Sequence, residues 1–327
     1  MAKSGNQTIT GKAFEFACAK AILDKGHGNA LIVLQKSPQL NTAIKCFNSL
    51  DLEDQINYES GAKAAIKIID RLEPRLYNDT GKLIVGLQSD RQGQSGDVRD
   101  VLCIRGPEWQ IGLSCKHNHD AVKHSRLSPT INVGKEWFNK NSSQTYFDEV
   151  RAVFIQLRDI GQFSVAKELT TGPALWSDVP DKEERFYVPI LQAFKKELKW
   201  LDKQYPGEIP EQLIRYLIGR NDFYKVIMND KRRFTQIEAF NINGSLNKPL
   251  GKKKALVDVP LLKMPTKFYE IEFEDGKKNT IIVVCDHGWQ VSMRIHNASS
   301  RVEPSLKFDV KLLAKPSSLL TQIEPWD

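Results

Sequence analysis

Residues 95–128 read SGDVRDVLCIRGPEWQIGLSCKHNHDAVKHSRLS, and they concentrate the side chains able to do chemistry. Asp97 and Asp100 stand before an apolar run, 101–104. Gly106-Pro107 punctuates it, and a second run, 109–115, ends at Lys116. Two short strands joined by a tight turn account for this pattern. Carboxylates suit a hard divalent ion of the magnesium type, which stabilises charge on a phosphate and helps to generate hydroxide. A lysine beside that phosphate could hold and deprotonate the attacking water and counter charge in the transition state. Such a set fits phosphodiester cleavage. Alternation puts Ser114 and Lys116 on one face of the second strand and Ile111, Leu113 and Cys115 on the other, which gives a site face and a core face. Asp97 and Asp100 are three positions apart and so face opposite ways in a regular strand, which makes one of them structural.

The block that follows, Lys116-His117-Asn118-His119-Asp120 with Lys123, His124 and Arg126, is dense in polar groups. One reading is a DNA-facing segment, with Lys123, His124, Ser125 and Arg126 on phosphates near the cut and His117, Asn118 and His119 beside them. A second is a zinc site from Cys115, His117, His119 and His124, although no second ligand pair has the usual structural spacing. A third, a ββα-metal nuclease suggested by the letters HNH, relies on residues that in that family lie far apart in sequence. A solvated loop is the plain alternative, since charge clusters are common on surfaces.

Elements on either side must hold these groups. Phe14, Ala17, Cys18, Ala21 and Ile22 recur at helical spacing, which predicts an amphipathic helix over 10–25 ended by Gly26. Glu15 sits beside its apolar stripe, facing either a cleft at the core edge or solvent. A short helix over 41–50 and a longer one through Ala62, Ala65, Ile66 and Ile69, stopped by Pro74, cover the sheet, with Glu59 as a weaker acidic candidate. A strand at 82–87 and a polar loop at 89–95 lead to Asp97. Beyond residue 128, helices are expected around 147–160, 186–205 and 212–227, the last broken near Gly219. The densest basic cluster, 229–234, contains Lys231, Arg232 and Arg233, and Lys252, Lys253 and Lys254 form another. Both could track a DNA backbone or simply be solvated. From Lys267 the pattern alternates as strands, with turns at Glu274-Asp275-Gly276 and Asp286-His287-Gly288 and a further strand at 305–314.

Composition sets the frame. The 327 residues are 41% hydrophobic, enough for a real core, and 47 Lys and Arg against 40 Asp and Glu leave a net charge of +7. This mild excess suits a polyanionic partner but equally suits many small-molecule enzymes. Five scattered cysteines without a CxxC predict reduced thiols, and no apolar run approaches the length of a membrane span, so a cytoplasmic chain is expected.

The arrangement of Asp100, Ser114 and Lys116 resembles the core of the PD-(D/E)XK nucleases. In these, an Asp heads one strand and an acid-x-Lys ends the next around a magnesium ion. More narrowly, GDVRDVLCIR followed by IGLSCKHNHDAVKHSRLS resembles the HaeIII family of type II restriction endonucleases. The resemblance is most specific over 96–128, extends to the preceding helix and strands, and is faint beyond about residue 160. It implies an α/β fold, a PD-(D/E)XK-like mixed β-sheet core flanked by helices with a C-terminal antiparallel β extension. It favours Asp100, directly before the apolar run, over Asp97 as the metal ligand. Ser114 departs from the motif because it stands where an acid belongs. The lost carboxylate would then come from Glu15, on a helix whose Glu can help to bind metal in such enzymes, or from Asp97. The resemblance further implies Mg2+-dependent cleavage of double-stranded DNA leaving 5′-phosphate and 3′-hydroxyl ends, at GGCC if the chain is HaeIII-like. It also implies a homodimer on a palindromic site and a cognate DNA methyltransferase that need not bind. The expected organisation is a nuclease core at 1–165, a helical, basic, DNA-facing region at 166–255 and a β region at 256–327. A repair or recombination nuclease that reads DNA structure and a catalytically silent DNA-binding module remain the alternatives.

Overall fold

The computed structural model of the protein describes residues 3–26, 31–89, 96–117, 121–161, 175–297 and 299–326. The chain begins with α1 (Lys3–Lys25), β1 (Ile32–Leu34), α2 (Pro38–Asn48), α3 (Leu52–Leu72) and the single turn α4 (Arg75–Asn78). The strands β2 (Leu83–Leu87), β3 (Val101–Arg105), β4 (Trp109–His117) and β5 (Ala121–Leu127) follow, then α5 (Val133–Phe138), α6 (Gln144–Gly161), α7 (Val188–Gln204) and α8 (Ile209–Ile218). The rest is strand: β6 (Phe223–Asn229), β7 (Phe234–Phe240), β8 (Phe268–Phe273), β9 (Thr280–Cys285), β10 (Gln290–His296), β11 (Leu306–Ala314) and β12 (Thr321–Pro325).

Two compact units result, and neither is continuous in sequence. One comprises residues 1–120, 219–263 and 317–327, the other residues 121–218 and 264–316. The division interleaves the chain where the sequence reading cuts it into consecutive segments.

In the first unit a mixed sheet runs in the order β1-β2-β3-β4-β6-β7-β12. β2, β3 and β4 form an antiparallel meander, and β4 pairs parallel with β6. Parallel neighbours need a long crossover, here the chain between His117 and Phe223. Val101, Cys103, Ile111, Leu113, Cys115, Tyr224, Val226, Met228, Ile237 and Ala239 join the buried faces of α1, α2 and α3 in one core. Slipping β4 by one residue would carry Ser114 and Lys116 into that core and expel Ile111, Leu113 and Cys115. The cost would be roughly 1.5–3 kcal/mol for each large aliphatic side chain. The apolar pattern therefore fixes which face carries the site residues. The covering helices start where sequence permits. Ser37 caps α2 ahead of Pro38, and Asp51 caps α3, whose first turn carries Glu53 and Asp54 against the helix dipole.

The second unit holds an antiparallel sheet in the order β5-β11-β10-β9-β8 together with α5 to α8. Trp137 anchors its core, stacked on Tyr216 at 4.5 Å between ring centroids and set edge-on to Phe194 at 5.2 Å. Among the described residues, no helix is long and apolar enough to cross a membrane.

Two expectations need correction, and two strands join them. The helix over 212–227 ends at Ile218. Residues 223–229 form β6, central to the first sheet, because a short apolar run flanked by Gly219 and Asn229-Asp230 fits either periodicity and only burial on the sheet decides. Residues 121–127 are a strand paired with β11 rather than a loop. Residues 234–240 and 321–325, for which the sequence reading names no element, pair as β7 and β12.

Candidate active site

Asp100 lies at the mouth of β3. Its backbone NH donates to the Leu113 carbonyl at 2.7 Å, which holds it beside the C-terminal half of β4. Its Oδ2 accepts the Cys115 NH at 2.7 Å and Lys116 Nζ at 3.3 Å. Neither bond uses Oδ1. Both side chains keep about a quarter of their surface, 25% for Asp100 and 23% for Lys116, so this pair remains accessible to water and ions.

Glu15 comes to the same place from α1. Its carboxylate is buried, and Lys12 Nζ donates to both its oxygens, at 3.1 and 3.0 Å. Burial, reinforced by the negative charge of Asp100, pushes the Glu15 carboxyl up to about 7, while Lys12 and Lys116 pull against that rise. Asp100, Lys116 and Glu15 thus form one electrostatic cluster.

Asp97 is engaged elsewhere. Its Oδ1 accepts Arg99 Nε at 2.7 Å, and its Oδ2 accepts Arg99 Nη2 at 2.7 Å and Gln88 Nε2 at 3.0 Å. Burial opposes its ionisation, but these hydrogen bonds and the guanidinium charge prevail and hold the carboxyl below its ordinary value. Arg99 in turn crosses Gly112. A Cβ there would stand 2.1 Å from Arg99 Cδ, so only glycine lets the bidentate pair form.

Ser114 is buried on the site face of β4, as alternation requires. Two charged residues absent from the sequence reading share that face. Lys225 of β6 pairs with Ser114, and Glu238 of β7 pairs with Lys225, both buried. The signal was a lone charge inside each apolar run, FYKVIM and TQIEAF.

His117 faces the opposite side of β4 from Lys116. Its Nδ1 lies 3.3 Å from Tyr58 Oη, and its Nε2 contacts Asp230 at the β6–β7 turn. Burial, with the charges of Asp230 and Asp54, pushes the Tyr58 phenol up. The zinc reading fares poorly, because Cys115 is buried against Cys18, a neighbour that raises the Cys115 thiol strongly, and His117 is committed to Asp230. Among the described residues, no group of three or more His, Cys, Asp and Glu side chains is arranged around a metal position.

The remaining candidates scatter. Asn118 and His119 lie outside the described residues. Lys123 and His124 lie in β5, and their side chains are also outside the described set. Arg126, exposed on β5, donates to Ser305 Oγ at 2.9 Å and pairs with Glu303. Lys231 and Arg232 are exposed on the β6–β7 turn, whereas Arg233, held at φ 48°, donates to Asn57 Oδ1 at 3.0 Å and lies over the Trp326 ring.

A two-acid set with an adjacent lysine fits a magnesium-type ion, which is commonly held by one or two carboxylates together with waters and substrate phosphate. Comparison with known proteins identifies the family. The profile of the HaeIII restriction endonuclease family matches residues 11–316. Over 325 residues the chain is 37% identical to the type II restriction enzyme HaeIII of Haemophilus aegyptius, covering 99% of each. No solved structure matches the chain.

Proposed function

The chain belongs to the HaeIII restriction endonuclease family and is a type II site-specific deoxyribonuclease; from that premise we propose that it cuts double-stranded DNA at GGCC by magnesium-dependent hydrolysis centred on Asp100 and Lys116. The observation that carries the assignment is the 3.3 Å contact of Lys116 with Asp100 on an accessible strand end, with Glu15 in electrostatic reach.

Asp100 and Glu15 would hold the ion, which when bound supplies Lewis acidity toward the phosphate and acidifies a coordinated water. Lys116 orients the attacking water and balances the charge that develops on the phosphate oxygens. Attack at phosphorus breaks the bond to the 3′ oxygen, leaving a 5′-phosphate and a 3′-hydroxyl. Asp97 serves to fix Arg99 and the approach to β3. Ser114 contributes a hydroxyl but no charge.

Lys231 and Arg232 are suited to phosphate contacts, which set position without reading sequence. We assign Arg126 the same role on the second unit, and keep His117, Asn118, His119, Lys123, His124 and Arg233 as DNA-facing candidates. A palindromic site favours a homodimer. A methyltransferase of matching specificity would protect the host DNA.

Incubating the purified protein with plasmid DNA and Mg2+ tests this reading. Discrete fragments whose ends map to GGCC, bearing 5′-phosphates, are expected. Nicking that follows DNA structure, or cutting undiminished by chelator, would refute it.

A further inference from the structure

Arg220 sits just before β6, with its backbone held on both sides and its side chain exposed. Its NH donates to the Gly96 carbonyl at 3.3 Å, and its own carbonyl accepts Asn243 Nδ2 at 2.9 Å. The loop that supplies Asn243 is itself held from within. Asp222, only 4% exposed, accepts the NH groups of Ile242, Asn243 and Ser245 at 2.7, 2.7 and 2.6 Å. Two glycines let the segments meet. Gly219 has φ 113°, and a Cβ on it would stand 2.8 Å from Val98 Cγ2. Gly96 has φ 93°, and the Arg220 stem passes over it, with Cδ and Nε 3.8 and 3.9 Å from the place a Cβ would take. Both are backbone conformations that glycine adopts readily and other residues rarely do.

Arg220 therefore stands against residues 96–98, in the stretch that delivers Asp97 and Asp100. Three other cations of the site have anions: Lys116 has Asp100, Lys12 has Glu15 and Arg99 has Asp97. Among the described residues, the Arg220 guanidinium makes neither an ion pair nor a hydrogen bond. A phosphate contact needs only a lysine or arginine on an accessible surface. Holding the backbone at both ends and laying the stem along a glycine adds a set direction for a planar fork of donors. That fork matches two parallel acceptors, and guanine presents such a pair, O6 and N7, in the major groove of duplex DNA.

We propose that Arg220 reads one guanine of the recognition site through O6 and N7. It sets specificity and takes no part in hydrolysis. The assignment rests on the nuclease reading above, with GGCC as the site.

The test is binding of the full-length protein to labelled duplexes, followed by anisotropy in Ca2+. In two of these, 7-deazaguanine, which keeps O6 and lacks N7, replaces the first or the second guanine on each strand. Wild type should lose affinity at one replacement or both. Arg220→Ala should bind GGCC about 5–150-fold less tightly than wild type, the worth of one bidentate pair, and should be indifferent to the replacement at one position that weakens wild type. As an exposed substitution it should melt with wild type. A variant that keeps the wild-type response at both positions, or a wild type that responds at neither, would overturn the proposal. So would an equal loss on GGCC and on an unrelated duplex, with a slope of log affinity against log salt shallower by about 0.9, which marks a phosphate contact. In these cases a wild-type preference for GGCC leaves the nuclease reading intact. A wild type that binds GGCC no better than an unrelated duplex would remove GGCC as the site and the proposal together.

Discussion

Asp97 and Asp100 are three residues apart, yet removing each should damage the protein in a different way. Asp97 makes three side-chain bonds with its neighbours, two to the Arg99 guanidinium and one to Gln88. Arg99 is 8% exposed, so Asp97→Ala strands a nearly buried cation. Breaking one side of a fully buried pair costs about 3–5 kcal/mol, and the 14% of its side chain that Asp97 keeps in solvent argues for the lower end, about 3 kcal/mol. At about 2–4 °C per kcal/mol, the melting temperature should fall by roughly 6–12 °C. Asp100→Asn keeps the shape and the Cys115 NH bond acceptor while removing a charge from the accessible cluster. It should melt close to wild type and lose at least about 10²-fold in cleavage, on the scale of deleting a group that acts on transition-state charge. Melting by circular dichroism and plasmid cleavage under saturating Mg2+ read the two effects separately. If Asp97→Ala melts like wild type but fails to cut while Asp100→Asn cuts normally, the roles are reversed and the alternation argument is refuted.

Lys116→Ala should reduce cleavage by about 10²-fold or more while duplex affinity, measured by anisotropy in Ca2+, stays within a few-fold, because one lysine among many phosphate contacts adds little to binding. Glu15→Gln should raise the Mg2+ concentration for half-maximal rate and slow the reaction, with Ser114→Ala milder on both counts. A Glu15→Gln titration that overlays wild type would exclude Glu15 as a ligand. For pH, the buried Glu73 carboxyl accepts from Tyr224 Oη and the Asn247 NH at 2.7 Å each, and desolvation raises it from 4.5 to about 7. The folded state then holds this proton more tightly than the unfolded chain, so the contribution is full below about pH 4.5 and lost as pH rises to about 7, at most roughly 3 kcal/mol. Urea unfolding at pH 5 and pH 8 should show a smaller stability difference for Glu73→Gln than for wild type.

Much of the candidate site was legible because strand alternation and turn residues are local. The hairpin of β3 and β4, the shared face of Ser114 and Lys116, and α1 with Glu15 on its flank all follow from periods of 2 and 3.6 in contiguous stretches. Asp100 and Lys116 could be paired on paper because one hairpin joins them. The β6 strand was missed for the opposite reason. Its hydrogen-bonding partner, β4, lies more than a hundred residues earlier, and nothing local in FYKVIM separates a buried strand from a helix.

The sequence by itself determined the chemistry available: an acid before one strand, a lysine at the end of the next, a hydroxyl where a carboxylate belongs, and an acid on the first helix. Only the tertiary structure decided how each acid is engaged by its neighbours. Asp97 is taken by Arg99 because Gly112 leaves room for that side chain, and Glu15 comes within electrostatic reach of Asp100 because α1 packs against the sheet. It also decided that Lys225 stands beside Ser114. Parallel pairing across a long crossover is set by burial of the whole sheet, a non-local quantity that no window of sequence contains.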